Sequence, residues 1–202
     1  GVQTCALPIC GFDAADEASV EAPAGWSAFA DVRQDLSGVV VGLPPVRVLS
    51  ALSEPVAEAF ARTVAAVATL GGETVEVALE GWRPDMDRRA GLLMAEAEAS
   101  AALENELAAG RGGFGEAFLA LLDYGRRAPV PKLARACRSV RRVGATVRRA
   151  LATVDVLLTP TTPQLAFPHD GPIPDDQADF TALANFAGLP ALSLPVATGT
   201  LP

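Results

Sequence analysis

The stretch Asp179-Phe-Thr-Ala-Leu-Ala-Asn-Phe-Ala-Gly-Leu-Pro-Ala-Leu-Ser-Leu-Pro195 predicts a short helix near the end of the chain. Asp179 and Thr181 are residue types that cap helix N-termini, because their side-chain oxygens accept unpaired backbone N–H groups. Residues 180–187 are nearly all apolar, and Gly188 suits the left-handed position that ends a helix. The order of these signals indicates a helix that starts near residue 180 and stops at Gly188.

Two apolar runs flank this helix in the sequence. Residues 191–196 are typical of a strand that is buried on both faces. Upstream, Val154-Asp-Val-Leu-Leu-Thr-Pro-Thr-Thr-Pro163 indicates a buried strand at residues 155–158 with a proline-rich exit. Residues 167–177 are rich in proline and acidic residues, which predicts a loop. Polar Asn185 must find hydrogen-bond partners or lie at an edge.

Two motifs, residues 154–163 and then residues 179–195, resemble the amidase signature family of hydrolases in their sequence and in their order along the chain. A looser similarity extends to Gly11-Phe-Asp-Ala-Ala-Asp-Glu-Ala-Ser19, which looks like the Gly-x-Asp-x-x-Asp-x-x-Ser element that these enzymes carry after their nucleophile. The resemblance implies an α/β fold, namely the C-terminal part of the amidase signature fold, with a mixed β-sheet flanked by helices. It also implies a cytoplasmic amidase that hydrolyses the C–N bond of a small-molecule amide without a metal or cofactor.

The family's Ser-Ser-Lys catalytic arrangement cannot be transferred to any residue of this chain. The family holds both serines in a Gly/Ser-rich loop, and the sequence contains no Gly-Gly-Ser-Ser run. Lys132 is the only lysine, and it belongs to a basic helical segment without such a context. We therefore expect residues 11–202 to be the C-terminal part of a single amidase domain, truncated at both ends and inactive alone.

Residues 1–10 have a separate interpretation. The first nine residues back-translate to a common sequencing-library adapter read in frame, and the codon of Cys10 begins with the base that continues it. We expect this segment to be non-native and exclude it from the fold argument.

The resemblance also suggests substrate-binding residues, because the C-terminal half of the family surrounds the acyl pocket. Asp179 and Thr181 are the best candidates to line that pocket, and plain helix capping is their alternative role. Asn185 is the third candidate, which we expect to hydrogen-bond backbone and fix the loop. Residues 167–177 are expected to lie over the substrate entrance.

Composition and charge limit the partners. The chain is 50% hydrophobic and 20% charged, which is ordinary for a globular protein. No apolar run reaches the roughly 18 residues that a membrane span needs. The net charge of −8 disfavours nucleic-acid binding. With residues 1–10 set aside, Cys137 is the only cysteine, which argues against a disulfide scaffold.

The sequence gives little support for other kinds of catalytic or metal site. His169 beside Asp170 lacks the nucleophile elbow of a Ser-His-Asp hydrolase. His169 with nearby aspartates matches no zinc or EF-hand spacing, so no metal site is predicted. Ser193 is interpreted as a hydrogen-bonded core hydroxyl. Asp85 and Asp87 stand at a predicted helix start, where the helix dipole favours carboxylates.

The rest of the chain predicts alternating strands and helices. A strand at residues 38–42, a helix at 54–70 with Ser53 as N-cap, and a strand at 73–79 indicate a βαβ crossover. Further helices are predicted at residues 85–108 with a break near Gly91, at 114–122, and at 130–154 with a solvated basic face.

Two other functions remain open. One is an amidotransferase A-type subunit, which uses the same fold to make ammonia for a tRNA-linked partner. Such a subunit needs an arginine that recognises glutamine, and Arg126 and Arg127 are the candidates. The other is a catalytically dead binding module with the amidase fold. A homodimer is also left open.

Overall fold

The computed structural model of the chain describes residues 12–15, 19–25 and 34–198. The chain divides into two compact units, Gly1–Gln34 and Asp35–Pro202. In the first unit, the backbone N–H of Ala15 donates to Asp13 Oδ1, and that of Asp13 donates to Ser19 Oγ, each at 2.9 Å. These bonds form a turn within the predicted Gly-x-Asp element. Its remaining positions, Gly11 and Asp16, and all of residues 1–10 lie outside the described residues.

A parallel sheet organises the second unit. Its strands within the described residues are β1 (Val40–Leu43), β2 (Glu73–Glu76) and β3 (Val156–Leu157), in the order β2-β1-β3. Helix α2 (Glu54–Thr69) connects β1 to β2, and β1 pairs in parallel with both neighbours. The predicted βαβ crossover is therefore confirmed. Compared with the predicted boundaries, β1 starts two residues later and β2 ends three residues earlier, and the α/β class holds.

Helices form the remainder of the described fold. They are α1 (Val46–Leu49), α3 (Pro84–Ala102), α4 (Glu104–Ala109), α5 (Glu116–Arg126), α6 (Val130–Ala150) and α7 (Ala182–Ala187). Helix α3 packs against both α5 and α6, and α6 packs against α7. The basic face of α6 is exposed as predicted, since its helical spacing places the apolar side chains on the opposite side.

The main core lies between the sheet, α6 and α7. Its most buried members include Trp82, Val143, Val147 and Leu183. The rings of Trp82 and Phe180 meet edge to face with centroids 5.9 Å apart, which is a favoured aromatic geometry. This cluster fixes α7 and the segment before it against α6 by burial of apolar surface.

The predicted helix break near Gly91 is wrong. Helix α3 runs without interruption through Gly91 and ends at Ala102, after which the shorter α4 begins. A Cβ at position 91 would overlap the aromatic ring of Phe186. Gly91 is therefore explained by close packing of α7 on α3, and its cost in helix propensity, about 1 kcal/mol relative to alanine, is offset by that contact.

The predicted buried strand at residues 191–196 is also wrong. These residues form no strand in the described structure and are exposed, with Leu192 at 84% and Leu194 at 69%. The neighbouring prediction of a buried strand at 155–158 is only partly right, because β3 has two residues and Val156 is exposed. A strand forms only where its backbone finds hydrogen-bonding partners, and β3 pairs with β1 alone among the described strands, so it lies at the edge of the described sheet.

Other helix boundaries differ modestly from those predicted. Helix α5 starts two residues later and continues four residues further than expected, and α6 ends at Ala150. Gly188 ends α7 as predicted, in the left-handed conformation with φ 64°. The Leu189 N–H donates to the carbonyl of Ala184 at 3.0 Å, which satisfies one of the last helical carbonyls. Within the described residues, no helix is both long and apolar enough to cross a membrane.

Glu96 on α3 supplies a prediction about pH and stability. The residue is 7% exposed, and its Oε2 atom is buried without a hydrogen-bond partner among the described residues. Burial raises the pKa of Glu96 above its ordinary 4.5, and the charge of Lys132 opposes the rise. The folded state therefore holds this proton more tightly than the unfolded state, so stability falls as pH rises through the folded pKa.

We expect Glu96→Gln to stabilise the protein at pH 7 by about 1 kcal/mol, since it removes an unpaired buried charge. The gain should vanish near pH 3.5, where the carboxyl is protonated in both states. Urea unfolding at both pH values measures the difference in free energy of unfolding between the variant and the wild type. Glu98→Gln, an exposed position on the same helix, is the matched control. An equal gain at both pH values would contradict the expectation.

Candidate functional site

A cavity of about 650 Å³ lies at the carboxyl end of β3. Three segments line it: one face of α2, the chain that leaves β3, and the last described residues. The lining residues are Val56, Ala59, Phe60 and Thr63 from α2, residues 158–162 and 164–166 after β3, and residues 192–196 with Thr198. Ligand sites of α/β folds are commonly found beyond the carboxyl ends of parallel strands. The position makes this cavity the candidate substrate site.

Hydrogen bonds to backbone carbonyls hold the three segments together. The N–H of Ser53, just before α2, donates to the carbonyl oxygen of Pro163 at 2.8 Å. Arg62 Nη2 on α2 donates to the carbonyl oxygen of Ala197, also at 2.8 Å. The predicted side-chain cap at Ser53 is wrong, because this side chain makes no capping bond and its Oγ is buried with no partner in the part of the chain that the structure describes. Proline at the first turn of α2 gives that end its starting geometry instead.

The polar groups of the cavity are hydroxyls and one amide. Thr161 Oγ1 and Ser193 Oγ are 2.9 Å apart, and Thr162 Oγ1 donates to the carbonyl oxygen of Gln164 at 2.8 Å. Gln164 Nε2 and Thr198 Oγ1 are buried and have no hydrogen-bond partner in the described structure. A buried polar atom without a partner costs free energy, so these two atoms are suited to bind a polar group of a ligand.

Ser193 differs from its sequence-based interpretation as a core hydroxyl. The residue is exposed, and its Oγ is paired with Thr161 at the cavity. The proline-rich exit after β3 is the sequence signal for this region, because it forces the chain away from the sheet. Sequence reasoning misses Gln164 and Thr198, since nothing in the local sequence separates them from other polar loop residues.

Asp179 lies in a different environment from the one predicted. Its Oδ1 accepts a hydrogen bond from Arg88 Nε on α3 at 2.6 Å, and its side chain is 13% exposed. Burial raises the pKa of Asp179, and the hydrogen bond and charge of Arg88 oppose that rise. Arg88 Nη2 also lies 3.7 Å from the exposed carboxylate of Asp175. Asp179 thus joins the segment before α7 to α3, and it does not line the cavity.

Thr181 and Asn185 do not line the cavity either. Thr181 is the N-terminal flanking residue of α7, but the helix start has no side-chain capping hydrogen bond, so capping by Asp179 or Thr181 is not what the structure shows. Asn185 Nδ2 donates to the backbone oxygen of Thr181 at 3.3 Å, one helical turn away. The predicted backbone contact of Asn185 is confirmed, and the substrate-binding role of all three stays a prediction.

The rival sites are separate from the cavity. His169 and Asp170 are exposed in the predicted loop, and residues 167–177 contain no helix or strand and do not line the cavity. No group of three or more histidine, cysteine or acidic side chains could hold a metal ion within the described part of the chain. Arg126 and Arg127 are exposed at the end of α5 and also lie outside the lining.

Comparisons with known proteins give the family. The family model described as Amidase matches residues 2–201. The A-type subunit of glutamyl-tRNA(Gln) amidotransferase from Pseudomonas aeruginosa (strain LESB58) is 30% identical over 96% of this chain and 46% of its own length. The subunit of the same name from Nitrosospira multiformis is 28% identical, over 95% of this chain and 45% of its own. The chain therefore spans about half the length of these curated relatives.

Solved structures show the same fold. A bacterial aryl acylamidase of the amidase signature enzymes superposes with a TM-score of 0.70 at 18% identity, over 88% of this chain and 40% of its own. The A-type glutamyl-tRNA(Gln) amidotransferase subunit of Thermotoga maritima gives a TM-score of 0.61 at 19% identity, over 88% and 39%. The family model covers nearly the whole sequence and the fold is shared, so this chain belongs to the amidase signature family.

Proposed function

We propose that the protein to which this chain contributes is an amidase that hydrolyses carboxamide C–N bonds, and that this chain holds the substrate. The observation that carries the proposal is the cavity at the carboxyl end of β3, in a chain that the Amidase family model matches over residues 2–201. Its volume of about 650 Å³ lies within the range of small-molecule sites, roughly 300–1,000 Å³. The cavity lining supplies surface for binding and orientation.

The proposed chemistry needs a nucleophile from outside the cavity described above. A serine would attack the amide carbon while a lysine accepts its proton through a second serine, and backbone N–H groups would hold the oxyanion. The C–N bond would then break, the amine or ammonia would leave with that proton, and water would hydrolyse the acyl-serine to the acid and the free serine. Lys132 does not fit this role, because its Nζ donates to Tyr124 Oη and lies 4.7 Å from that ring. We propose that the serines and lysine are supplied by a part of the protein that this chain does not include.

The sequence relatives support a second candidate, an amidotransferase A-type subunit. Curated relatives at 28% to 30% identity carry that name. Such a protein would release ammonia from glutamine for a partner subunit. The decisive measurement is hydrolysis by the complete gene product, expressed from its full reading frame, against a panel of neutral amides and L-glutamine. Release of ammonia or amine from neutral amides supports the amidase, and turnover of glutamine alone supports the amidotransferase. No turnover of either overturns both.

Asp179 is proposed as a positioning residue for substrate binding. Its bond to Arg88 fixes the segment that leads through α7 into the cavity lining. In the complete enzyme we expect Asp179→Ala to raise KM by roughly threefold or more and to lower kcat less, because the reacting groups are left in place. Asp175→Ala is the matched control, since Asp175 is exposed and farther from Arg88. Unchanged kinetics in Asp179→Ala would remove this residue from substrate binding.

A further inference from the structure

The charge of the cavity lining defines a class of substrate. None of the described residues that line the cavity is Asp, Glu, Lys, Arg or His. Side chains such as Phe60, Leu158 and Leu194 form the apolar part of the cavity lining, and hydroxyls and the Gln164 amide form its polar part. This inference rests on the proposed function, because it names the substrate of the same site.

A charged ligand would find no partner of opposite charge among the described lining residues. Moving an isolated ammonium or carboxylate away from water costs several kcal/mol unless an opposite charge or several hydrogen bonds replace the lost hydration. Arg62 is the nearby cation on α2, and its guanidinium is held by the Ala197 carbonyl and lies near Glu58. A free amino acid such as glutamine carries both charges, so it would have two groups to desolvate.

A neutral oxygen, in contrast, has suitable partners. The Nε2 group of Gln164 can donate two hydrogen bonds and makes none in the described structure. Thr198 Oγ1 is likewise buried without a partner and can donate or accept. A carbonyl oxygen bound by Gln164 would satisfy a donor that otherwise stays unpaired.

We propose that this cavity binds an uncharged, mainly apolar amide, with a ligand oxygen accepting a hydrogen bond from Gln164 Nε2, and that it discriminates against free glutamine. The apolar wall accommodates an alkyl or aryl group, and the absence of charge in the described lining sets the discrimination. Amide hydrolysis itself is left to groups outside the cavity.

The test is binding to the complete gene product, expressed from its full reading frame and measured by ligand-observed NMR titration with three probes. Hexanamide is the neutral amide, hexanoate has the same length with a carboxylate, and L-glutamine is the zwitterionic amide. We expect hexanamide to bind at least about tenfold more tightly than either charged probe, which corresponds to about 1.4 kcal/mol. Equal or tighter binding of hexanoate or glutamine overturns the proposal, as does absence of hexanamide binding to the folded complete protein.

Two matched variants locate the contact. Gln164→Met keeps the length of the side chain and removes the donor, and we expect it to weaken hexanamide binding by about tenfold. Gln177→Met is the control, because Gln177 Nε2 is also buried without a partner among the residues described but does not line the cavity. Circular dichroism establishes that both variants fold. An equal effect of both variants, or of neither, contradicts the assignment to Gln164.

The outcomes separate this inference from the proposed function. If the complete protein binds hexanamide in preference to the charged probes but hydrolyses no amide, the proposed function fails and the cavity assignment stands. If the complete enzyme hydrolyses glutamine faster than hexanamide, the cavity assignment fails and cleavage of an amide C–N bond stands.

Discussion

Replacing Asp87 with alanine is expected to destabilise the protein by about 3 kcal/mol, because it removes a fully buried carboxylate that pairs with the partly exposed Arg142 and leaves the Arg83 N–H and the Ser139 hydroxyl without their acceptor. Asp87 has no exposed surface. Its Oδ2 accepts from the backbone N–H of Arg83 at 2.7 Å, and its Oδ1 accepts from Arg142 Nη2 at 2.7 Å and from the Ser139 hydroxyl. One carboxylate therefore holds the start of α3 and joins it to α6.

Asp85→Ala is the matched control for this prediction. Asp85 and Asp87 both lie in the first turn of α3, so both carboxylates interact with the helix dipole. Asp85 is exposed, and a change there should stay within about 0.5 to 1 kcal/mol. Urea unfolding of the two variants gives the difference directly. Similar losses would mean that the dipole, and not the buried bonds to α6, explains the role of Asp87.

Gly144→Ala is the second change with a large expected effect, a loss of about 3 kcal/mol. Alanine favours a helix over glycine by about 1 kcal/mol, so an isolated α6 would gain stability. In the folded protein, however, the new Cβ would overlap the carbonyl oxygen of Phe186 and lie 2.9 Å from its carbonyl carbon. Backbone cannot rotate away as a side chain can, so α6 and α7 must separate and lose buried contacts.

A comparison with Gly91 and Phe186 tests whether contact with backbone, and not with a side chain, sets the cost of Gly144→Ala. A Cβ at position 91 would meet the ring of Phe186, whereas one at position 144 meets its backbone. Removing the ring with Phe186→Ala should therefore relieve most of the cost of Gly91→Ala and little of the cost of Gly144→Ala. Double-mutant cycles measured by thermal or urea unfolding report the two coupling energies. Equal coupling at both glycines would show that the backbone contact does not decide the cost.

Local patterns account for the parts of the fold that are predicted correctly. Helix α2 and its two flanking strands are visible in the sequence because proline near the start, a glycine pair at the end and an apolar face are all properties of neighbouring residues. The position of Gly188 is also predictable from the local sequence, because ending α7 there depends only on the left-handed backbone conformation of this one glycine. The amidase signature resemblance comes from two motifs of this kind, and the family match confirms it.

The features that sequence reasoning misses depend on contacts between distant segments. Asp85 and Asp87 are equivalent in the sequence, and only the approach of Arg142 and Ser139 distinguishes the buried one. Asp179 has the sequence context of a helix cap, but the arginine that pairs with it lies 91 positions away. The apolar run at 191–196 has the composition of a buried strand, but strand formation requires a hydrogen-bonding partner that local composition cannot specify.

Residue spacing along the chain is thus enough to predict the α/β class, the βαβ unit and the amphipathic basic helix, and the resemblance of two motifs predicts the family that the Amidase family match confirms. The three-dimensional packing adds which carboxylates are paired, why Gly91 and Gly144 must be small, and that Gln164 and Thr198 share an uncharged cavity. Burial, ion pairing and close packing depend on which distant segments come into contact, and local propensity carries no information about those tertiary contacts.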